Sequence, residues 1–335
     1  MAAQMKIAIL SDIHANFPAL SAVASDAANN MEVGFRHCWC LGDVVGYGPH
    51  PAQTLGFLRD FVDPKAWVMG NHDAMLADIV LPEEVDALPD PGKLMRVRVN
   101  KGAGREVTSR GKFMKADDWF KTTAMPVEVI LLNRAALKNA PQEDAFWRQK
   151  FTAKRAKPLV IQQDGLTCVL AHGAQADPLS RYVYAWDTPI YIPRELTSMK
   201  KLRGRTRKPI IQFYGHTHVP TFIRARETKG QFEIESERIL PGQEFHLENN
   251  HYYLINPGSV GQPRDRDRRA SYLVFDSKTR TVSFRRVPYD YTETAHDMLI
   301  GGYPEGLVRR LQTAAAAEKE TPDDWLAHYE TARSK

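Results

Sequence analysis

Five short polar motifs, each at or just beyond an apolar strand-like run, constrain this chain more than any other feature of its sequence. Each motif places Asp, Asn or His beside glycine or another small residue. Together they supply seven nitrogen and oxygen donors, which is enough for two metal ions. The motifs are Ser11-Asp12-Ile13-His14, Gly42-Asp43, Gly70-Asn71-His72-Asp73, Ala171-His172-Gly173 and Gly215-His216-Thr217-His218.

The first 70 residues alternate short apolar runs with helix-forming segments. This β-α-β-α-β order indicates parallel strands joined by right-handed crossovers. In such sheets functional groups gather at the carboxyl ends of the strands, where Asp12, Asp43 and Asn71 all fall. The predicted strands span residues 5–10, 35–41 and 65–69, and the predicted helices span residues 17–28 and 51–61.

The chain beyond residue 140 contains further strand-like runs. Two of them lead directly into His172 and into the pair His216 and His218, which repeats the strand-then-donor order of the first motifs. The last two runs flank a polar turn and predict a hairpin. The predicted strands span residues 166–170, 210–214, 251–255, 271–276 and 281–287, and the predicted helices span residues 142–155, 304–318 and 323–333.

The chain has 335 residues, of which 43% are hydrophobic, and this is ample for one large core. No apolar run approaches the roughly 18–20 residues that span a bilayer, and residues 1–7 lack the layout of a signal peptide. We therefore expect a cytoplasmic protein with one domain over residues 1–335. Within it, 78–164 would be a partly helical insertion or cap and 303–335 a C-terminal helical extension.

Three cysteines in a chain of this length supply no disulfide framework. Two of them, Cys38 and Cys40, form a Cys-x-Cys pair that raises the question of a metal or redox site. In a strand over 35–41 both side chains would point to the same face. Buried cysteine packs as a small hydrophobic residue, so we expect the pair to lie in the core.

The formal net charge of +5 is distributed unevenly along the chain. The stretch from Lys93 to Lys121 contains nine Lys or Arg residues against three acidic residues. Such local charge favours anionic partners such as phosphates, and Trp119 and Phe120 within it are suited to stacking on a base. We predict a mobile basic cap over residues 92–124; a solvated surface insertion with a small core of its own is the alternative.

The donor types indicate which metals suit the motifs. Mixed His, Asp and Asn donors favour Mn, Fe, Zn or Ni over the all-oxygen sites of Ca or Mg. No motif contains cysteine, which argues against a structural zinc site. Two ions about 3.5–4 Å apart need a bridging carboxylate, and Asp43 is the candidate. The sequence therefore predicts two divalent or trivalent ions, with manganese expected.

The motifs Asp-x-His, Gly-Asp, Gly-Asn-His-Asp, His-Gly and Gly-His-x-His, in this order, resemble those of the calcineurin-like metallophosphoesterase superfamily. The runs at 42–49 and 256–264 resemble in particular its bacterial and archaeal phosphodiesterase-like branch. The resemblance implies an α/β fold, a four-layer αββα sandwich in which two packed mixed sheets are flanked by helices.

The resemblance also implies a role for each donor. His72 would stabilise the transition state or protonate the leaving oxygen, and Asp73 would orient the His72 imidazole. One ion would be bound by Asp12, His14, Asp43 and His218, and the second ion by Asp43, Asn71, His172 and His216.

Two further residues are candidate substrate contacts. The resemblance places Asn16 at the edge of the site, although local hydrogen bonding in the loop is the commoner role of such a residue. Arg264 is a candidate to bind phosphate through its forked N–H donors. Because arginines and aspartates alternate after it as far as Arg269, pairing within a solvated loop is the alternative.

The resemblance implies metal-dependent hydrolysis of a phosphoester, by in-line attack of a hydroxide that bridges two ions. Phosphodiesters and nucleotide-type molecules are the favoured substrates, because the resemblance is to a phosphodiesterase-like branch and the stretch from Lys93 to Lys121 is basic. The first alternative is a phosphomonoesterase, including a serine/threonine protein phosphatase or a diadenosine polyphosphate hydrolase. A DNA nuclease and a non-catalytic scaffold are less favoured. The expected partner is a phosphorylated small molecule or nucleotide, with no membrane involved and nucleic acid not favoured.

Overall fold

The computed structural model describes residues 6–30, 38–78, 95–98, 119–122, 124–150, 157–185, 191–237 and 239–315. Within these ranges, two six-stranded β-sheets pack face to face and helices cover the outer face of each sheet. The predicted four-layer αββα sandwich of two mixed sheets is therefore confirmed.

The described ranges contain fourteen strands and eight helices. The strands are β1 (Lys6–Leu10), β2 (Cys38–Cys40), β3 (Val62–Trp67), β4 (Met95–Arg98), β5 (Trp119–Thr122), β6 (Leu159–Gln163), β7 (Leu166–Leu170), β8 (Ile210–Phe213), β9 (Thr221–Thr228), β10 (Gln231–Glu237), β11 (Glu244–His246), β12 (His251–Asn256), β13 (Ala270–Asp276) and β14 (Thr281–Val287). The helices are α1 (Phe17–Asn30), α2 (Pro51–Phe61), α3 (Asn71–Asp78), α4 (Ala124–Lys138), α5 (Pro141–Lys150), α6 (Tyr191–Lys200), α7 (Tyr291–Ile300) and α8 (Glu305–Thr313).

Each sheet contains three adjacent parallel strands. The first has the strand order β11-β14-β13-β1-β2-β3, in which β1, β2 and β3 are parallel as predicted and β13 runs antiparallel to β1. The second has the order β10-β9-β12-β8-β7-β6, in which β12, β8 and β7 are parallel. Parallel neighbours end at the same edge of a sheet, so the segments after β1 and β2 meet at one edge, and those after β7 and β8 at another.

Strand β1 illustrates why the central strands read as continuous apolar runs. Ile7 and Ile9 lie between the two sheets, in one core with Phe213 of the second sheet. Ala8 and Leu10 lie on the opposite face, in the core that α1 and α2 cover. A strand that is buried on both faces has no polar side to alternate with its apolar one.

The predicted element bounds agree with the structure in some places and not in others. The helix predicted at 51–61 and the strands predicted at 166–170 and 281–287 coincide with α2, β7 and β14. The bounds 65–69 are wrong, because β3 already begins at Val62, whose N–H also caps α2 by donating to O of Leu58. The chain thus passes from helix to strand without a loop.

Some C-terminal bounds also differ. The helix predicted at 304–318 ends at Thr313, because Ala314 adopts a left-handed conformation with φ of 52° and ends the helix. The helix predicted at 142–155 is α5, which begins at Pro141 and is described as far as Lys150. The helix predicted at 323–333 lies outside the described residues, as do residues 35–37 of the strand predicted at 35–41.

The cysteines behave as the sequence predicts. Cys38 and Cys40 are both buried in the core between the first sheet and its helices. Burial raises the pKa of both thiols, and likewise that of Cys168. Thiolate ligation of a metal at any of the three is therefore disfavoured.

Helices α4 and α5 pack onto the main core, where α4 contributes Val127, Ile130 and Leu137. Of the predicted basic cap at 92–124, the structure describes the backbone of the antiparallel pair β4 and β5 and the first residue of α4; the rest lies outside the described residues. The predicted domain boundaries stay a prediction. None of the helices in the described part of the chain is long and apolar enough to span a membrane.

Candidate metal centre

The seven predicted donors meet at the rim where four strands end. They follow β1, β2, β7 and β8, except that Asn71 is the first residue of α3. All but Asn71 are buried. Residues from the two sheets lie in direct contact here, since Nε2 of His14 is 3.2 Å from Nε2 of His218.

Five of the seven donors have a left-handed backbone, which non-glycine residues rarely adopt. Each such residue costs on the order of 1–3 kcal/mol and persists only where its surroundings hold it. In the first loop, for example, the N–H of His14 donates to O of Asp43 over 2.9 Å. Clustered strain of this kind is typical of functional sites. The φ angles are 52° at Asp12, 50° at His14, 52° at Asp43, 70° at His216 and 60° at His218.

The first set of donors is formed by Asp12, His14 and His218. Oδ1 of Asp12 lies 3.3 Å from Nε2 of His218 and 3.9 Å from Nε2 of His14. Donor atoms that share one ion at bond lengths of about 2.0–2.2 Å lie roughly 3–3.5 Å apart. The spacing of this set therefore fits a single ion with little adjustment.

The second set is centred on His172. Its Nε2 lies 3.1 Å from Oδ1 of Asn71, 3.1 Å from Nδ1 of His216 and 3.3 Å from Oδ2 of Asp43. The same Oδ2 atom lies 3.8 Å from Nε2 of His14, in the first set. One oxygen of Asp43 thus borders both sets, as a bridging carboxylate must.

The hydrogen bonds of the histidine rings leave the facing nitrogens available as donors to a metal. In three of the rings Nδ1 lies within hydrogen-bond distance of a backbone carbonyl, which assigns the proton to Nδ1 and leaves the Nε2 lone pair to the site. His216 is the reverse, because its Nδ1 faces the site and its buried Nε2 has no hydrogen-bond partner in the described part of the chain. The three carbonyl contacts are His14 to Val45 (3.1 Å), His172 to Leu41 (2.8 Å) and His218 to Gln262 (2.6 Å).

The charges of the site call for a cation. Burial lowers the pKa of His14, His216 and His218 well below the ordinary value. Burial raises the pKa of Asp12 to about 6, with the nearby Asp43 adding to the rise. Although burial opposes it, the nearby Asp43 carboxylate raises the pKa of His172 to about 9. Without metal, a protonated His172 therefore balances part of the buried negative charge, and bound metal ions would supply that positive charge instead. The nitrogen and oxygen donors and their spacing fit two metal ions.

The segment of residues 256–264 holds the loop that carries Asp12 and His14. Oγ of Ser259 and the N–H of Gly261 both donate to the backbone O of Asp12, over 2.7 and 3.0 Å. Gly258 has φ of 81°, which glycine adopts without strain. This part of the sequence therefore acts by positioning Asp12.

His72 lies directly against the donors, with a ring nitrogen within 4.8 Å of donor atoms of His14 and Asp43. Its ring meets the His14 ring edge-on with centroids 4.8 Å apart, and its buried Nδ1 has no hydrogen-bond partner among the described residues. Burial lowers the pKa of His72 to about 4, so the imidazole is neutral at pH 7. A neutral imidazole that is 2% exposed thus lies directly beside the metal donors.

Asp73 takes a different position from the predicted one. Its carboxylate accepts backbone N–H bonds from Asp43 (2.8 Å), Val44 (2.8 Å) and Gly70 (3.0 Å). Among the residues that the structure describes, no hydrogen bond joins it to the His72 ring. The predicted role is therefore corrected: Asp73 uses its oxygens to hold the loop of Asp43.

Asn16 uses its whole side chain in local contacts. Its Nδ2 donates to O of Gly261 (2.8 Å) and to Oη of Tyr289 (3.0 Å). Its Oδ1 accepts from the N–H of Ala19 (3.2 Å) and the hydroxyl of Thr294 (2.9 Å). This geometry favours the loop hydrogen-bonding alternative over substrate contact.

Arg264 lies at the site, as the sequence predicts. Its N–H donates to O of His218 over 3.3 Å, and its Nη2 lies 3.4 Å from Oε1 of Gln262. The guanidinium also approaches Tyr47, together with that of Arg310 from α8. Sequence reasoning missed Arg310, since nothing in the pattern of α8 distinguishes it from the neighbouring Arg309.

Two other missed residues shape the site. Tyr182 stacks on the metal donor His216 with ring centroids 3.9 Å apart. Asn133 of α4 accepts from the N–H of Gly46 (2.7 Å) and donates to O of Gly48 (2.9 Å), which holds the loop of Tyr47. A tyrosine and an asparagine outside the five motifs carry no local pattern that would have revealed them.

A four-layer αββα sandwich with two overlapping His/Asp/Asn donor sets at its strand ends defines a metal-dependent hydrolase. Residues 5–280 match the family model described as the calcineurin-like phosphoesterase superfamily domain. The chain belongs to this superfamily and is a phosphoester hydrolase.

Several known proteins are similar to this chain over most of its length. An uncharacterized protein of Methanocaldococcus jannaschii is 27% identical over 307 residues, which is 91% of this chain and 96% of the relative. The crystal structure of a metallophosphoesterase from Sphaerobacter thermophilus is 27% identical, with a TM-score of 0.60 over 93% of this chain and all of that one. A hypothetical protein from Pyrococcus horikoshii shares the fold at 16% identity and the same TM-score, over 93% of this chain and 99% of its own.

A more local similarity involves a named enzyme. The symmetrical bis(5'-nucleosyl)-tetraphosphatase of Psychromonas ingrahamii is 35% identical over 71 residues. These residues make up 21% of this chain and 25% of that enzyme.

Proposed function

We propose that this chain hydrolyses a phosphoester of nucleotide type, with phosphodiesters as the preferred class, by using two divalent metal ions. The observation that carries the proposal is the position of Oδ2 of Asp43, 3.3 Å from Nε2 of His172 and 3.8 Å from Nε2 of His14. An oxygen shared in this way suits two ions about 3.5–4 Å apart, the spacing that phosphoryl transfer uses.

Two such ions, when bound, would activate a water molecule and neutralise the phosphoryl oxygens. The side chains of the protein would hold the donor atoms in position and act on the leaving oxygen. The buried carboxylates and imidazoles hold their donor atoms in place before substrate arrives, which avoids reorganisation during the reaction. His72, neutral at pH 7 and beside His14 and Asp43, would donate a hydrogen bond to the charge that develops on the leaving oxygen.

An aromatic stack supports a nucleotide-type substrate. The rings of His216, Tyr182 and Tyr184 lie nearly parallel, with centroids 3.9 Å apart in the first pair and 5.6 Å in the second. Tyr182 is 38% exposed. A nucleobase would extend such a stack without regard to its identity. The local similarity to a bis(5'-nucleosyl)-tetraphosphatase agrees with this class of substrate.

The test compares two nitrophenyl esters under the same conditions. The manganese-loaded full-length chain is given bis-p-nitrophenyl phosphate or p-nitrophenyl phosphate, and kcat/KM is measured for each. We expect the higher value for the diester. A strong preference for the mono-ester would remove the phosphodiesterase proposal and leave the phosphomonoesterase alternative.

The natural substrate and metal need a broader measurement. A screen of phosphorylated metabolites, cyclic nucleotides and dinucleotides would rank the substrates, and elemental analysis of the same preparation would identify the ions. We expect manganese, with Fe, Zn and Ni as the other metals that this donor set suits. Metal-dependent cleavage of a labelled oligonucleotide would instead favour a nuclease.

A further inference from the structure

We propose that Arg264 and Arg310 form a second phosphate-binding subsite beside the metal centre, so that the substrate carries two phosphate groups in close succession, as in a phosphoanhydride. The inference rests on the proposed function for the position of the reacting phosphate. It adds a substrate class and a residue of the C-terminal helix α8 that the five motifs do not contain.

Both guanidinium groups approach one side chain, Tyr47. Cζ of Arg264 lies 5.8 Å from the centroid of the Tyr47 ring, and Cζ of Arg310 lies 5.9 Å from it. The same ring lies 4.6 Å from the His14 ring and 4.4 Å from the His72 ring, centroid to centroid. One aromatic ring therefore lies beside both cations and beside two histidines of the site.

Neither guanidinium forms a direct ion pair with a carboxylate in the described part of the chain, although Asp12 of the metal site acts on Arg264 from a longer distance. No described carboxylate oxygen lies within 4.0 Å of either group, and the buried Nε of Arg264 has no hydrogen-bond partner. The acidic neighbours of Arg264 are engaged elsewhere, because Asp265 pairs with Arg286 and Asp267 pairs with Arg269. The self-pairing alternative for this loop thus holds for Arg269 and not for Arg264.

Backbone contacts hold the two arginines at the site. The N–H of Arg264 donates to O of His218, a metal donor, over 3.3 Å. The N–H of Arg266 donates to O of Ala314 over 2.9 Å, and Ala314 in turn donates to O of Arg310 over 2.8 Å. The end of α8 is therefore tied to the loop of Arg264, so the arginine pair is built into the fold.

The charge balance indicates what the pair binds. Burial and the nearby Arg264 both lower the pKa of Arg310, which reflects the cost of holding two cations together. A phosphate dianion would remove this cost, and the planar forks of two arginines match its oxygens. Because two metal ions would already neutralise the reacting phosphoryl group, a neighbouring phosphate is the anion left for the pair.

Calorimetric binding to the manganese-loaded full-length chain tests the subsite without turnover. The probes are methylphosphonate, with one phosphonate group, and methylenebisphosphonate, with two; neither has a P–O–P bond to hydrolyse. Arg310→Met should weaken bisphosphonate binding by about 10- to 100-fold, the worth of a lost charged hydrogen bond, and leave methylphosphonate binding within about 3-fold. Arg310→Lys, which keeps the charge, should recover part of the affinity.

Arg309→Met is the matched control, because Arg309 is exposed on the same helix. It should bind both probes as the unmodified chain does. Equal losses for both probes in Arg310→Met would overturn the proposal by showing that Arg310 contacts the reacting group. Unchanged binding of both probes would overturn it as well, by leaving Arg310 a structural role only.

Kinetics separates this proposal from the function on which it rests. Hydrolysis of adenylyl-(3'→5')-adenosine, with one phosphate, is compared with that of diadenosine diphosphate, with two in an anhydride. Arg310→Met should lower kcat/KM for the second substrate alone. If the unmodified chain hydrolyses neither substrate, nor any nitrophenyl ester, while bisphosphonate binding still depends on Arg310, the proposed function fails and the subsite stands.

Discussion

The backbone N–H of His72 donates a hydrogen bond to Oδ1 of Asp43 over 2.8 Å, while the other oxygen of that carboxylate borders both metal-donor sets. One side chain therefore joins the two sets and also positions the histidine proposed to act on the leaving group. Because the bridging role belongs to Asp43 and the leaving-group role to His72, substitutions at Asp43 and at His72 should have separable effects.

Asp43→Asn should abolish activity together with metal binding. The amide keeps the shape of the side chain but loses the charge that two ions would share. Elemental analysis and hydrolysis of a nitrophenyl ester measure both effects on one preparation. Asp60→Asn, at an exposed carboxylate of α2, is the control and should behave as the unmodified chain. Full metal content and activity in Asp43→Asn would contradict the bridging role.

His72→Ala should retain the bound metal ions and lower the rate of hydrolysis. Removal of a group that donates to the leaving oxygen is expected to lower kcat by about 10²–10⁴-fold. The same elemental analysis should find the ions still bound, because the seven donors remain. Metal loss equal to that of Asp43→Asn would instead make His72 a ligand.

Gly46→Ala should lower kcat in the same way as His72→Ala, but by a smaller factor. Gly46 has φ of 85°, and a Cβ added there would overlap Nδ1 and Cγ of the His72 ring. Displacement of the ring should lower kcat by up to about 10²-fold with metal retained. Gly242→Ala is the matched control, since Gly242 has φ of 79° and no atom within 4 Å of the added Cβ. Equal rates in the two variants would show that the ring position does not matter.

Asp73→Ala should destabilise the fold more than it alters the chemistry. It leaves the buried N–H groups of Asp43, Val44 and Gly70 without an acceptor, at about 1–3 kcal/mol for each unsatisfied group. Urea unfolding of the metal-free chain measures the loss, and Asp73→Asn, which keeps one acceptor oxygen, should lose less. Unchanged stability with a shifted pH–rate profile would restore the role of orienting His72.

Removal of metal should lower the melting temperature. An ion that binds only the folded chain stabilises it by about 2.7 kcal/mol at 100 times its Kd. Thermal unfolding is followed in a chelator and then during titration with Mn²⁺. The unmodified chain should gain stability with added metal and Asp43→Asn should gain less. A melting temperature that changes neither with the chelator nor with added metal would argue against the dinuclear site.

The elements that sequence patterns predict best are those buried on both faces. Strands β1 and β7 are short apolar runs, and both were predictable within one residue of their bounds. Strand β10 was not, because its residues alternate between exposed and half-buried at the edge of the second sheet and include three glutamates. Strand β10 is held by hydrogen bonds to β9, and the local sequence of a strand does not show which strand it pairs with.

The role of Asp73 shows a similar limit at the site. A carboxylate next to a histidine in sequence suggests contact between the two side chains. The helix α3 begins at Asn71, however, and residues next to each other on a helix point in different directions. Asp73 therefore faces the loop of Asp43, and only the three-dimensional path of the chain reveals this.

The sequence by itself determined the donor residues, because each donor follows an apolar run and parallel strands end at a common edge. The resemblance of its motifs to those of a known superfamily implied the sandwich fold. Only the tertiary structure decided which nitrogen of each histidine faces the site, since backbone carbonyls from distant loops hold the opposite nitrogen. It also decided that Arg310 and Arg264 approach the same ring, that of Tyr47, because this arrangement depends on how α8 docks on the loop after β12. Docking of this kind is set by packing between elements remote in sequence, which no local pattern records.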